Sequence, residues 1–172
     1  MMLLPDAEQL LANLTERMRS GVATDTAIVG IHTGGAWLAE RLHHDLKLPL
    51  PLGTLDISFY RDDFDKIGLH AQVRPSDISF EVEGSHIILV DDVLYTGRTI
   101  RAALNELFDY GRPSSIRLAA LIDRGGRELP IAPQYVGATL ALPSDKMLAL
   151  EKSSTGKLSL RLYDKNPMGH EQ

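Results

Sequence analysis

The chain has 172 residues, 44% of them hydrophobic and 24% charged, proportions ordinary for one globular domain with a sizeable core. Its formal net charge of -5 excludes a global electrostatic grip on nucleic acid, although a local basic patch remains compatible with it. The lack of cysteine excludes disulfides, thiolate metal sites and a thiol nucleophile.

In chain order, Asp6 to Arg19 is predicted helical, with Leu10, Leu11, Leu14 and Met18 at helical spacing and Gly21 as a stop. Before it, Met1-Met2-Leu3-Leu4-Pro5-Asp6 lacks the basic region of a secretory signal. No apolar run approaches the roughly 18 residues of a membrane span, so no membrane partner and a cytoplasmic location are expected. The run 27–31 suits a buried strand. Thr33-Gly34-Gly35 then turns into a helix through Leu46, whose apolar side holds Ala36, Leu38, Ala39 and Leu42. Leu52 to Phe59 reads as another strand. Tyr60 to Ser76 is polar and charged, and is expected to be a long loop or protruding hairpin, a flexible lid. His86 to Val90 returns to the core, and a helix from about Gly97 to Tyr110 follows, capped by Gly111. Ile116 to Ile122 is a further strand, and short strands are predicted near 135–140, 147–151 and 158–163.

Alternating strands and helices imply an α/β fold: a mainly parallel sheet flanked by helices. Ligands of such sheets bind at the carboxyl ends of the strands. The most informative stretch is Ile87-Ile88-Leu89-Val90-Asp91-Asp92-Val93-Leu94-Tyr95-Thr96-Gly97-Arg98-Thr99. Apolar residues make a strand, two acids stand at its end, and a small-polar loop opens a helix. The loop amides and the first helical N–H groups form an anion nest, to which Thr96 and Thr99 can add hydroxyls. The acids suit sugar hydroxyls or the shell of a bound Mg²⁺. A plain helix cap would explain the loop but not the acids beside it, since like charges repel; a ligand carrying both a phosphate and a diol explains the pairing. No Walker loop is present.

This stretch resembles the 5-phosphoribosyl-1-diphosphate (PRPP) signature of the type I phosphoribosyltransferases. Residues 57–63, 90–99, 111–116 and 123–131 are together similar to the PyrR family, pyrimidine-operon regulators that double as uracil phosphoribosyltransferases. The resemblance covers roughly Ala27 to Leu142, with a weaker tail. It implies a single domain over 1–172, with a small hood and the flexible loop of about 60–76. It also implies transfer of the phosphoribosyl group from PRPP to uracil, giving UMP and diphosphate, with Mg²⁺ as cofactor. Asp91 and Asp92 would hold the ribose hydroxyls and touch the metal indirectly, through those hydroxyls or water. Val93-Leu94-Tyr95-Thr96-Gly97-Arg98-Thr99 would anchor the 5-phosphate, and Thr33, Gly34 and Gly35 the diphosphate, with Arg61 as a charge clamp. Asp123 and Arg124 would face the base, and Tyr135 would stack on it. Partners implied are a messenger-RNA leader and a second copy in a homodimer or larger assembly, with Trp37–Leu38 and Leu3–Leu4 as candidate contacts and Arg112, Arg117, Arg124 and Arg127 as a candidate basic patch.

Two positions depart from the family pattern: Gly34 stands where an arginine is usual, and Gly126 where histidine is frequent. The alternatives are an RNA-binding regulator with little catalysis and a purine transferase of the same superfamily; the PyrR-like segments argue against the latter. The six histidines show no metal-ligand spacing, and no chemistry is assigned to them.

Overall fold

A computed structural model describes residues 2–57 and 76–165. Within them β1 (Thr26–Ile31), β2 (Gly53–Leu55), β3 (His86–Leu94), β4 (Ser115–Asp123) and β5 (Tyr135–Thr139) form one sheet in the order β2-β1-β3-β4-β5. Every neighbouring pair in it is parallel. The helices are α1 (Ala7–Arg19), α2 (Gly34–Asp45) and α3 (Arg98–Asp109). Strands β6 (Lys146–Lys152) and β7 (Leu158–Asp164) pair antiparallel as a separate hairpin.

Alternation along the strands explains why helices cover both faces. Ile28, Ile88, Val90, Ala119 and Leu121 point to one side, where they pack with Leu11, Leu14 and Met18 of α1 and Leu38 and Leu42 of α2. The intervening Val29, Ile87, Leu89, Leu118 and Ala120 point to the other side, against Ile100, Ala103 and Leu107 of α3. Leu148, Leu150 and Leu158 insert into the first of these layers, so the β6–β7 hairpin is anchored as a hood over one end of the sheet. The start of α1 is fixed by Asp6, whose side chain accepts from the Gln9 amide at 3.0 Å.

Several expected boundaries shift for identifiable reasons. Within the described residues β2 spans Gly53–Leu55 of the stretch expected from Leu52 to Phe59, whose last two residues lie outside the described ones, and Asp77 bridges its outer side at Thr54. Thr54 and Asp77 exchange two backbone hydrogen bonds at 2.9 Å, and the Asp56 amide turns to Ser76 Oγ at 3.1 Å. β3 runs four residues beyond Val90, because its pairing with β4 continues to Leu94 opposite Asp123. The two acids therefore lie within the last part of a strand rather than after it. Leu38 is fully buried in the core of its own chain, which removes it from any intermolecular contact, whereas Leu3 is 95% exposed. The lid expected at about 60–76 lies almost wholly outside the described residues.

Candidate active site

The strand order reverses direction at β1 and β3: the chain passes from β1 outward to β2 and then back to β3 on the other side. Crevices of doubly wound sheets form at the carboxyl ends of such a pair. Here a cleft of about 610 Å³ opens at that place. Its floor is Asp91 to Ile100, one wall is Thr33 and Gly34, a second holds Arg124 and Glu128, and the hood contributes Met147 to Leu150 and Lys165.

The phosphate-sized part of the cleft is built by the turn from β3 into α3. Gly97 has φ +93, a left-handed conformation that glycine adopts without cost, and a Cβ there would press on Ile131 at 3.0 Å. The Arg98 amide is taken by Thr96 Oγ1 at 3.2 Å. The next first-turn amides have no acceptor inside the helix, as at any helix start, and carry the positive end of its dipole. What makes the turn receptive to an anion is the fate of its carbonyls. Leu94 O accepts from the Arg124 amide at 3.0 Å, and Thr96 O from Glu128 and Leu129 amides at 2.9 and 3.2 Å. Tyr95 O accepts from Arg127 Nη1 at 2.8 Å. Three successive carbonyl oxygens, which would repel a phosphate, are thus bonded to the segment that follows β4.

Arg127 organises that segment. Its Nε donates to Ile131 O at 2.8 Å and its Nη2 to Asp123 Oδ2 at 2.7 Å. Burial pushes the Asp123 carboxyl up, but the hydrogen bonds from Arg127 and from the Gly125 amide outweigh it and hold the group below the usual aspartate range. The family resemblance implies that Asp123 faces the base. The structure turns it to Arg127 instead, and it does not line the cleft. Arg124 does line it, but its guanidinium donates to Lys146 O at 2.9 Å and Pro143 O at 3.2 Å and lies 4.0 Å over the Tyr95 ring. It therefore fastens the base of the hood to the turn from β3 into α3. A Cβ at Gly126 would meet Tyr95 Cε2 at 2.5 Å, so this glycine makes room for that ring.

The acids differ from each other. Asp91 is 3% exposed, and its Oδ1 accepts from the Asp92 amide at 2.9 Å. Asp92 is half-buried, with Oδ1 on the Val93 amide at 2.8 Å. Opposite them Gly35 fits against the end of β3, where a Cβ would collide with Val90 O and lie 3.1 Å from Asp91 Cα. The loop of Thr33, Gly34 and Gly35 is thereby pressed onto the two acids. Among the described residues no group of three or more acidic, histidine or cysteine side chains forms a metal cage. Two carboxylates beside an anion cradle fit a Mg²⁺ held chiefly by substrate oxygens and water.

Other expected residues lie elsewhere. Tyr135 starts β5 opposite Ala119 in the middle of β4, and its hydroxyl accepts from Arg117 Nη1 at 3.0 Å while abutting Gly21. It is not among the residues that line the cleft, so the geometry gives no support to base stacking by Tyr135. The four arginines do not form one patch: Arg117 lies near the start of β4 and Arg124 just past its end, roughly 20 Å apart at strand rise, and Arg124 and Arg127 are spent on internal carbonyls. Arg61 lies outside the described residues. The role of Arg127 was not read from the sequence. The signal available was an acid and an arginine four apart around two glycines, 123–127.

Residues 4–146 match the family described as "Phosphoribosyl transferase domain". The chain is 52% identical over 167 residues to the Bifunctional protein PyrR of Pseudomonas savastanoi pv. phaseolicola, covering 95% of this chain and 97% of that protein. It is 55% identical over 153 residues to the Bifunctional protein PyrR of Pseudomonas aeruginosa, covering 87% and 90%. Among solved structures, a hypoxanthine-guanine phosphoribosyltransferase from Bacillus anthracis superposes with a TM-score of 0.64 at 20% identity, over 82% of this chain and 85% of that one, a likeness of fold.

Proposed function

We propose, for a chain that belongs to the phosphoribosyl transferase family and within it to the PyrR proteins, that this cleft transfers the phosphoribosyl group of PRPP to uracil. The observation that carries the reading is the meeting, at one switch point, of three parts. These are an amide turn with its carbonyls tied away, two acids in the last part of β3, and a glycine loop pressed against them. An anion cradle, a diol site and a second anion loop match the 5-phosphate, ribose and diphosphate of PRPP in order. The apolar hood strand, Met147 to Leu150, offers the remaining wall to the base.

In the reaction the uracil nitrogen bonds to carbon 1 of the ribose, the carbon–oxygen bond to diphosphate breaks with its electron pair leaving on oxygen, and the nitrogen proton passes to solvent. Positive charge develops on the sugar. Asp91 and Asp92 hold the ribose hydroxyls and stabilise that charge from fixed positions. The turn 95–99 fixes the 5-phosphate, so that catalysis rests mainly on positioning. Mg²⁺, taken up with PRPP next to Asp91 and Asp92, would neutralise the diphosphate as it departs. Arg61 is retained from the sequence as a clamp on diphosphate.

The family's second role, regulation of pyrimidine biosynthesis, is proposed to act through a messenger-RNA leader with UMP as effector, in a cytoplasmic homodimer or larger assembly. UMP formation from uracil and PRPP in the presence of Mg²⁺, with hypoxanthine and guanine as competing bases, tests the enzymatic reading. Turnover of uracil alone is expected; turnover of a purine in its place would contradict it.

A further inference from the structure

Among the described residues, the cationic side chains that line the cleft are Arg98, Arg124 and Lys165. The first two are committed. Arg98 is paired with Glu128 at 2.6 Å, and Arg124 is buried with its guanidinium on Lys146 O and Pro143 O. Lys165 differs. It is exposed, it follows the last residue of β7, and the acid beside it in sequence, Asp164, is paired with Lys146. Within the described residues its ammonium faces the ring of Tyr95, 5.5 Å from the centroid. That is close to the outer limit of roughly 6 Å for a cation–π contact, and the Arg124 guanidinium already lies 4.0 Å from the same ring. The backbone of Lys165 is fixed by contrast. Its amide donates to Asp145 O at 2.8 Å, which ties the end of β7 to the residue before β6. A long cationic side chain therefore starts from a set place on the hood side of the cleft, beside the first residue of the turn 95–99.

We propose that Lys165 is a nucleotide-binding residue whose ammonium closes the 5-phosphate cradle from the hood side. The inference rests on the reading of the turn 95–99 as that cradle. The turn offers amides and hydroxyls, which carry no full charge, while Asp91 and Asp92 stand in the same cleft and repel a dianion. A cation with no carboxylate partner among the described residues offsets that repulsion, and its contact with a phosphate oxygen is a charge-assisted hydrogen bond. The Tyr95 ring gives the ammonium a resting place next to the turn without neutralising it. Lys165 stands some 70 positions from that turn in sequence, so the contact joins hood and turn only when a phosphate lies between them.

Binding of UMP, measured by calorimetry, and of ribose 5-phosphate, measured by competition against UMP, tests this in wild type, Lys165→Gln and Lys165→Arg. Lys165→Gln is expected to weaken both ligands about tenfold and to make UMP affinity less sensitive to salt, whereas Lys165→Arg keeps the charge and should stay within about twofold of wild type. The melting temperature without ligand should not change in either variant, since the side chain is exposed. Wild-type affinity for UMP in Lys165→Gln would overturn the proposal. So would a loss for UMP that ribose 5-phosphate does not share, because the ammonium would then serve the base. A loss of equal size in Lys165→Arg would overturn it too, because charge would not be what matters. In each of these cases wild type still binds UMP, and the reading of the cleft stands. A wild type from which ribose 5-phosphate displaces no UMP would instead defeat the cradle, and the proposal with it.

Discussion

At the scale of single side chains, two aspartates and one arginine have different parts in the proposed site. Asp91 and Asp92 are each held by one backbone amide, at 2.9 and 2.8 Å, and neither belongs to the apolar layers. Replacing both by asparagine keeps size and shape but removes the charge. UMP synthesis is expected to fall by about a hundred- to a thousandfold, with an unchanged circular dichroism spectrum; near-normal synthesis in the folded double variant would remove the diol assignment. Arg127 acts one step back, holding Tyr95 O, Ile131 O and Asp123 Oδ2 together. Arg127→Met leaves the half-buried Asp123 carboxylate without its charged partner and frees the Tyr95 carbonyl. The KM for PRPP should rise about tenfold with a smaller change in kcat, together with a lowered melting temperature. A variant with unaltered KM would show that the turn holds its shape without this arginine. The paired acids and the turn 95–99 were legible because strand, acids and glycine are consecutive in sequence. Arg127 was not, because its meaning depends on the Tyr95 carbonyl some 30 positions away. The partner of Asp123 was not legible, because a sequence does not say that a side chain at the carboxyl end of β4 turns back to Arg127, nor that the hydroxyl of Tyr135 reaches Arg117.

Between elements, the hood depends on a small number of polar ties besides its apolar anchor. Glu8 of α1 accepts from Arg41 Nη2 at 2.8 Å and Nη1 at 3.3 Å, and from the Leu158 amide at 2.9 Å, so one carboxylate joins α1, α2 and β7. The Arg41 hydrogen bonds, and after them the Leu158 amide, hold Glu8 below the usual glutamate range. A carboxylate depressed in the fold contributes stability that is fully present above its unfolded value of about 4.3 and is lost as pH falls through its lower folded value. Glu8→Gln should therefore cost about 1 kcal/mol near neutral pH, discounted because the pair is partly solvated, and a few degrees of melting temperature. The difference between the two proteins should vanish in acid below the folded value. A difference that persists there would assign the effect to packing. Element types were readable: short apolar runs mark β1 and β3, and the leucine spacing marks α1. Lengths were less so, since β2 pairs with β1 only from Gly53 to Leu55 and β3 continues as long as β4 accompanies it. Nothing in the sequence of 146–164 announces that this hairpin leaves the main sheet to roof the cleft.

Over the whole molecule, net charge and site geometry pull apart. The chain carries -5 overall, and the arginines expected to form one basic face are dispersed, with Arg124 and Arg127 engaged inside. RNA binding is expected to be weak and to fall steeply with salt, with UMP strengthening it by linkage; tight binding indifferent to salt would contradict this. Light scattering should give the mass of a dimer or larger, and a monomeric mass at micromolar concentration would count against the proposed assembly. The central claim is that one cleft, at the switch between β1 and β3, takes a nucleotide in a fixed order of parts. A crystal structure with UMP tests it most directly. The 5-phosphate is expected on the amides of the turn 96–99, the ribose hydroxyls within hydrogen-bond distance of Asp91 or Asp92, and the base against Met147 to Leu150. UMP seated away from Asp91 and Asp92, or with its phosphate at Thr33 to Gly35 instead, would contradict the account.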